Sequence, residues 1–170
     1  TLTGGACIGD ANGDGWMDVF FPRMDAHPYL YLNDRNGRFL DGTNQMGLMA
    51  FTDMKGNGCV FVDIDNDGDE DLYVSTVGDE KFYLFVNDEN IRYIENAAGW
   101  GLENRKLEQK LTAGFSIDVA DVNNDGYLDI ITTEWLPPLN KFSTSPEDNE
   151  IQTNSRLYMN TGVTRKFADI

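Results

Sequence analysis

Three stretches of this chain set oxygen-bearing side chains at the same positions of a nine-residue frame. Asp10, Asn12, Asp14 and Asp18 hold positions 1, 3, 5 and 9 of the first. Asp63, Asp65, Asp67 and Asp71 hold them in the second, and Asp121, Asn123, Asp125 and Asp129 in the third. Position 6 is glycine each time: Gly15, Gly68 and Gly126. Side chains at this spacing converge only if the backbone curls about one point, and glycine permits the curl. Hard carboxylate and amide oxygens at that density suit Ca²⁺, which takes about 6–8 oxygens at roughly 2.3–2.6 Å. The carbonyls of position 7, on Trp16, Asp69 and Tyr127, would complete each cage. The expectation is three Ca²⁺ sites built from these fifteen residues.

Two other readings of the same residues are weaker. An EF-hand loop needs a bidentate acid at position 12 and helices on both flanks. Position 12 is Phe21, Val74 and Thr132, none of which carries a carboxylate. A metal-free Asp/Asn/Gly turn is the other possibility. Four carboxylates in one loop, as at Asp63, Asp65, Asp67 and Asp71, then repel at about 1 kcal/mol per pair at 4 Å even in water. A turn that needed only polarity would not gather them.

The flanks say what must hold the loops. Val19-Phe20-Phe21, Leu72-Tyr73-Val74 and Ile130-Ile131-Thr132 follow them, and Ala6-Cys7-Ile8, Val60-Phe61-Val62 and Phe115-Ser116-Ile117 precede them. These β-branched and aromatic runs read as strands, so each loop joins a hairpin. Further on come alternating segments at 29–33, 82–87 and 156–160, ending in Asn33, Asn87 and Asn160, which read as turn formers. Segments around Phe39, Tyr93 and Phe167 read as fourth strands, followed by connectors at Met46-Gly47-Leu48 and Ala98-Gly99-Trp100-Gly101-Leu102. No helical period runs long enough to compete, and residues 104–111 are expected to give one or two helical turns at most. The loops start 53 and then 58 residues apart. A period in the fifties with four short strands per unit points to propeller blades.

The chain resembles FG-GAP/VCBS repeats, found in integrin α-chain propellers and in cartilage-acidic-protein-like secreted proteins. The metal loops, the L-Y-x-N segments and the Gly-x-Leu-type ends carry the resemblance. It implies an all-β fold of about three four-stranded antiparallel blades, part of a larger ring, with Ca²⁺ in the first hairpin loop of each blade. The expected units are residues 1–50, 51–108 and 109–170, the last with a polar insertion at about 137–155. Three blades do not close a ring, since propellers usually need about 4–8. Further blades of a parent protein, or other copies of the chain, are the expected completion.

Composition narrows the function. Of 170 residues, 41% are hydrophobic, enough for a core, and 13 basic against 29 acidic residues give a net charge of −16. Ten of the acids are proposed ligands, and three divalent ions would leave a charge of about −10. That balance argues against nucleic acid, which needs a basic surface, and against direct membrane insertion or binding to anionic membranes. No apolar run approaches the ~20 residues of a membrane span, and no signal peptide is visible. Cys7 and Cys59 sit one step out of phase relative to their loops, so they are expected to face opposite sides of their strands, as buried free thiols. Monodentate, solvent-open loops belong to the weak class of about 10⁻⁴–10⁻³ M, filled outside cells, so the chain is expected to be secreted or at the cell surface.

Three functions compete on these grounds. The first is a calcium-stabilised extracellular binding or scaffolding module for protein interaction or adhesion. Its contact loops would lie at the end opposite the metal, at residues 23–28, 77–81 and 137–155. The second is a carbohydrate-binding propeller lectin using Trp16, Trp100, Trp135, Tyr29 or Tyr127. Either would take an extracellular protein or glycan as partner. The third, an enzyme, is disfavoured: His27 is the only histidine, no nucleophile elbow or phosphate loop is present, and the paired acids belong to the metal loops. No catalytic residues are assigned.

Overall fold

The structure, a computed structural model, describes residues 4–104, 111–134, 155–162 and 167–169. Most of the expected insertion at 137–155, Trp135, and most of the stretch at 104–111 lie outside them.

Among the described residues, twelve short strands form three four-stranded antiparallel sheets, each in simple consecutive order. The first contains β1 (Cys7–Gly9), β2 (Asp18–Phe21), β3 (Tyr29–Asn33) and β4 (Phe39–Asp41). The second contains β5 (Gly56–Val62), β6 (Asp71–Thr76), β7 (Tyr83–Asp88) and β8 (Arg92–Glu95). The third contains β9 (Gly114–Ala120), β10 (Asp129–Glu134), β11 (Arg156–Asn160) and β12 (Phe167–Asp169). These are propeller-type blades. In each, the nine-residue loop joins the first and second strands, and the register pairs Gly9 with Asp18, Val62 with Asp71 and Ala120 with Asp129. That pairing brings position 9 back beside the residue just before position 1.

The blades stack through their first strands, β1 beside β5 and β5 beside β9. Two cores fill the gaps. Phe20, Leu30 and Met46 of blade 1 meet Phe61, Leu72, Val74 and Phe85 of blade 2. Val62, Tyr73, Leu84 and Trp100 of blade 2 meet Ile130, Tyr158 and Phe167 of blade 3. Blade 2 is therefore covered on both faces, and all six residues of β6 are buried. β2, covered on one face, alternates between buried and half-buried. The period-2 pattern decides which face each side chain takes.

Among the described residues the connectors hold two short helical turns, a 3-10 turn at Leu48–Ala50 and α1 (Ala97–Trp100). Each drives an apolar side chain, Leu48 or Trp100, into the adjoining core. Cys7 is buried and Cys59 half-buried, and both are free. They do take opposite faces, with an outcome the phase argument did not foresee. Cys7 looks forward from blade 1 and Cys59 looks back from blade 2, so both belong to the same core.

Candidate metal centres

Each loop turns by the same local hydrogen bonds. The carboxylate at position 1 accepts two backbone N–H groups, those of positions 5 and 6. Asp10 takes Asp14 and Gly15 at 3.0 and 2.7 Å, Asp63 takes Asp67 and Gly68 at 3.1 and 3.0 Å, and Asp121 takes Asp125 and Gly126 at 3.0 and 2.8 Å. At position 5, Asp14, Asp67 and Asp125 each accept the N–H of position 7 at 2.9 Å. At position 3, Asn12 and Asn123 accept the N–H of position 5 at 3.1 and 3.0 Å, and their amides donate to Asp14 and Asp125. The glycine at position 6 has φ of 83°, 95° and 89° in the three loops, a region closed to most side chains. The loops thus curl as their spacing requires.

Position 9 lies deeper. Asp18, Asp71 and Asp129 are at most 1% exposed. Each accepts, on one oxygen, the N–H of position 2 of its own loop: Ala11, Ile64 and Val122, all at 3.0 Å. The other oxygen accepts the N–H of the asparagine in the third strand, Asn33 and Asn87 at 2.7 Å and Asn160 at 2.8 Å. Burial pushes the Asp71 carboxyl up to about 7, against the two N–H donors that pull it down, with Asp65 and Asp67 adding like charge. Burial likewise raises Asp18.

The asparagines turn out to be more than turn formers. Asn33 does accept the Arg35 N–H at 3.0 Å, as a turn residue would. Each side-chain amide also donates to the carbonyl of position 8 of its own loop, on Met17, Glu70 or Leu128. Asn87 and Asn160 reach further. Asn87 donates to Ala11 O of blade 1 at 3.1 Å and Asn160 to Ile64 O of blade 2 at 2.9 Å. Each therefore latches its blade to the metal loop of the blade before. Sequence reading missed these two contacts. The signal was present as the asparagine that ends the apolar third-strand segment of each repeat, but the acceptor lies in another repeat.

The loops differ in charge density. Ligand oxygens of Asp63, Asp65 and Asp71 lie within 4.8 Å of one another, the one such carboxylate triple among the described residues. Two donors on one Ca²⁺ at 2.3–2.6 Å stand at most about 5 Å apart, so this triple fits the ion. Loops 1 and 3 replace its third acid with Asn12 and Asn123, neutral oxygen donors of the same reach. Of the position 7 residues, Trp16 is 46% exposed, and the Asp69 side chain accepts a hydrogen bond from Asn90. Tyr127 is half-buried. Arg35 forms an ion pair with Asp14 at 3.2 Å.

The other sequence candidates divide. Trp100 is 2% exposed in the core between blades 2 and 3 and is not available to a glycan. Tyr29 packs against His27 and Tyr31, with Arg23 over its ring at 5.0 Å. The loops at 23–28 and 77–81 border an open cleft of about 520 Å³ lined by Met24, Asp25, Asp53, Lys55, Asp79 and Glu80 among others.

Residues 10–74 match the family described as the FG-GAP-like repeat. That stretch of the chain runs from the first loop through the second loop and into β6. Its third blade repeats the loop and latch bond for bond. No curated protein matches the chain. Among solved structures, a lectin of Agrocybe aegerita that specifically recognises non-reducing terminal N-acetylglucosamine aligns with a TM-score of 0.52 at 17% identity. The alignment covers 99% of this chain and 38% of that one, so the chain spans well under half the length of the structure it resembles. At this identity the likeness is one of fold. No helix among the described residues is long and apolar enough to cross a membrane.

Proposed function

We propose that the chain is a calcium-stabilised extracellular binding or scaffolding module, with one Ca²⁺ in each of its three loops. The observation that carries the reading is the Asp63, Asp65, Asp71 triple inside an FG-GAP repeat. Carboxylates gathered at this distance, one of them buried, repel one another, and a divalent ion among them would offset that repulsion. In loop 2, Asp63, Asp65, Asp67 and Asp71 with the Asp69 carbonyl would hold it. Asp10, Asn12, Asp14, Asp18 and the Trp16 carbonyl would do so in loop 1, and Asp121, Asn123, Asp125, Asp129 and the Tyr127 carbonyl in loop 3. Binding to the folded state alone adds stability by mass action.

Weak, open sites of this kind fill at extracellular calcium and stay largely empty in a resting cytosol, which supports a secreted or cell-surface location. The contact surface we assign is the end opposite the metal, where the cleft between the 23–28 and 77–81 loops lies. The partner would be an extracellular protein or a glycan, in protein interaction or adhesion, and we assign no catalytic role. Further blades, in the same polypeptide or in other copies, would cover the outer faces of blades 1 and 3.

The test is a thermal melt in excess EDTA and then in roughly 0.1–10 mM CaCl₂, a range that brackets the weak extracellular class. A large calcium-dependent rise, with Mg²⁺ much weaker, is expected. A flat response would leave the loops as acidic turns and remove the argument for location. Glycan-array binding that depends on Trp16 would move the assignment from protein partner to lectin.

A further inference from the structure

β1 and β5 lie side by side at the seam between blades 1 and 2. A Cβ placed on Gly5 would stand 3.0 Å from the Asn57 carbonyl oxygen, and one on Gly9 would strike the Phe61 side chain. Both contacts join residues 52 positions apart, so the strands run in parallel at a fixed offset. The same offset carries Cys7, midway between the two glycines, onto Cys59. Alternation confirms the facing. Cys59 and Phe61 pack into the core shared with blade 1, whereas Val60 and Val62 pack toward blade 3. The out-of-phase cysteines therefore meet across the seam, in the one core to which both belong.

We propose that Cys7 and Cys59 close into a disulfide that staples blade 1 to blade 2, formed by exchange with glutathione disulfide or an oxidoreductase disulfide. Cys59 is the more accessible thiol and attacks first. Its thiolate displaces one thiol of the donor and forms a mixed disulfide, and the Cys59 proton leaves with that thiol. Cys7 then attacks Cys59 Sγ, displaces the second donor thiol and passes it a proton. The protein loses two protons and two electrons, and the donor disulfide is reduced to two thiols. Burial, and then the neighbouring Cys59, push the Cys7 thiol far above its ordinary value, so the second step belongs to folding, before the seam closes. Once closed, the bond is shielded by the same core.

The experiment is refolding of the full reduced chain in a glutathione/glutathione disulfide buffer, followed by denaturing alkylation, intact mass and peptide mapping. The expected product is a monomer lighter by two hydrogens, with no alkylatable thiol and one cross-linked peptide joining Cys7 to Cys59. Adding reductant should lower its melting temperature by about 10 °C, the scale for closing a loop of roughly 50 residues in a chain this size. Cys59→Ala should melt at the same temperature with and without reductant. Two alkylatable thiols, a glutathione cap, a link between chains, or a wild-type melt indifferent to reductant would each overturn the staple. EDTA in all samples keeps the result separate from calcium binding.

Discussion

Asp65→Asn should make the protein more stable without calcium and shrink the stability that calcium adds. Asp65 belongs to the triple whose oxygens lie within 4.8 Å, and the same position is Asn in loops 1 and 3, so the loop tolerates the amide. At that separation each like-charge pair costs about 1 kcal/mol in a water-like dielectric. Neutralising Asp65 removes two such pairs, with Asp63 and Asp71, so the chelated protein should gain about 1–2 kcal/mol. For a chain of this size that is about 2–8 °C in melting temperature. With calcium the advantage shrinks. A site with a dissociation constant near 1 mM contributes about 1.4 kcal/mol at 10 mM ion, and a tenfold weaker one about 0.4 kcal/mol. The calcium increment of the variant should therefore fall by about 1 kcal/mol, in addition to the change of baseline. Paired calorimetric melts of wild type and variant, in EDTA and across a calcium titration, read both quantities. If the variant shifts by the same amount and sign in both conditions, the triple is not an ion site and the repulsion argument fails.

Asp71→Ala should behave differently, since Asp71 holds the Asn87 and Ile64 N–H groups in a buried setting. Stranding these donors should cost about 2–4 kcal/mol even in EDTA, read by urea denaturation. Asn87→Ala, which leaves Ala11 O without its cross-blade donor, should cost about 1–3 kcal/mol. Asn33→Ala should cost clearly less, because Asn33 makes no such bond among the described residues; equal losses would refute the latch. Gly68→Ala meets no steric neighbour but must hold φ at 95°, so about 1–2 kcal/mol is expected from backbone strain alone, independent of calcium.

The strands and loops were legible because both follow local rules. Val19-Phe20-Phe21 and its counterparts are β-branched and aromatic runs, and the oxygen spacing can close only around a point. What the chain did not disclose lies between repeats. Asn87 and Asn160 end apolar segments, as turn residues do, and nothing in their own repeat names Ala11 or Ile64 as acceptors. The phase difference between Cys7 and Cys59 was read correctly, but its meaning reverses once the sheets stack in one orientation: opposite faces of successive blades are facing sides. Trp100 could be read as a sugar platform until the short helix α1 placed it in the core. Four residues are too few for a helical period to announce itself.

The latch also has a direction. Asn87 grips loop 1 and Asn160 grips loop 2, always the later blade holding the earlier loop. An ion that steadies loop 1 therefore firms the seat of blade 2, and one in loop 2 firms the seat of blade 3. Ion by ion, order would be handed along the chain like a ratchet. Stripping a single loop would loosen the blade downstream of it before its own, and the fold would behave as a one-way line of nearest-neighbour couplings.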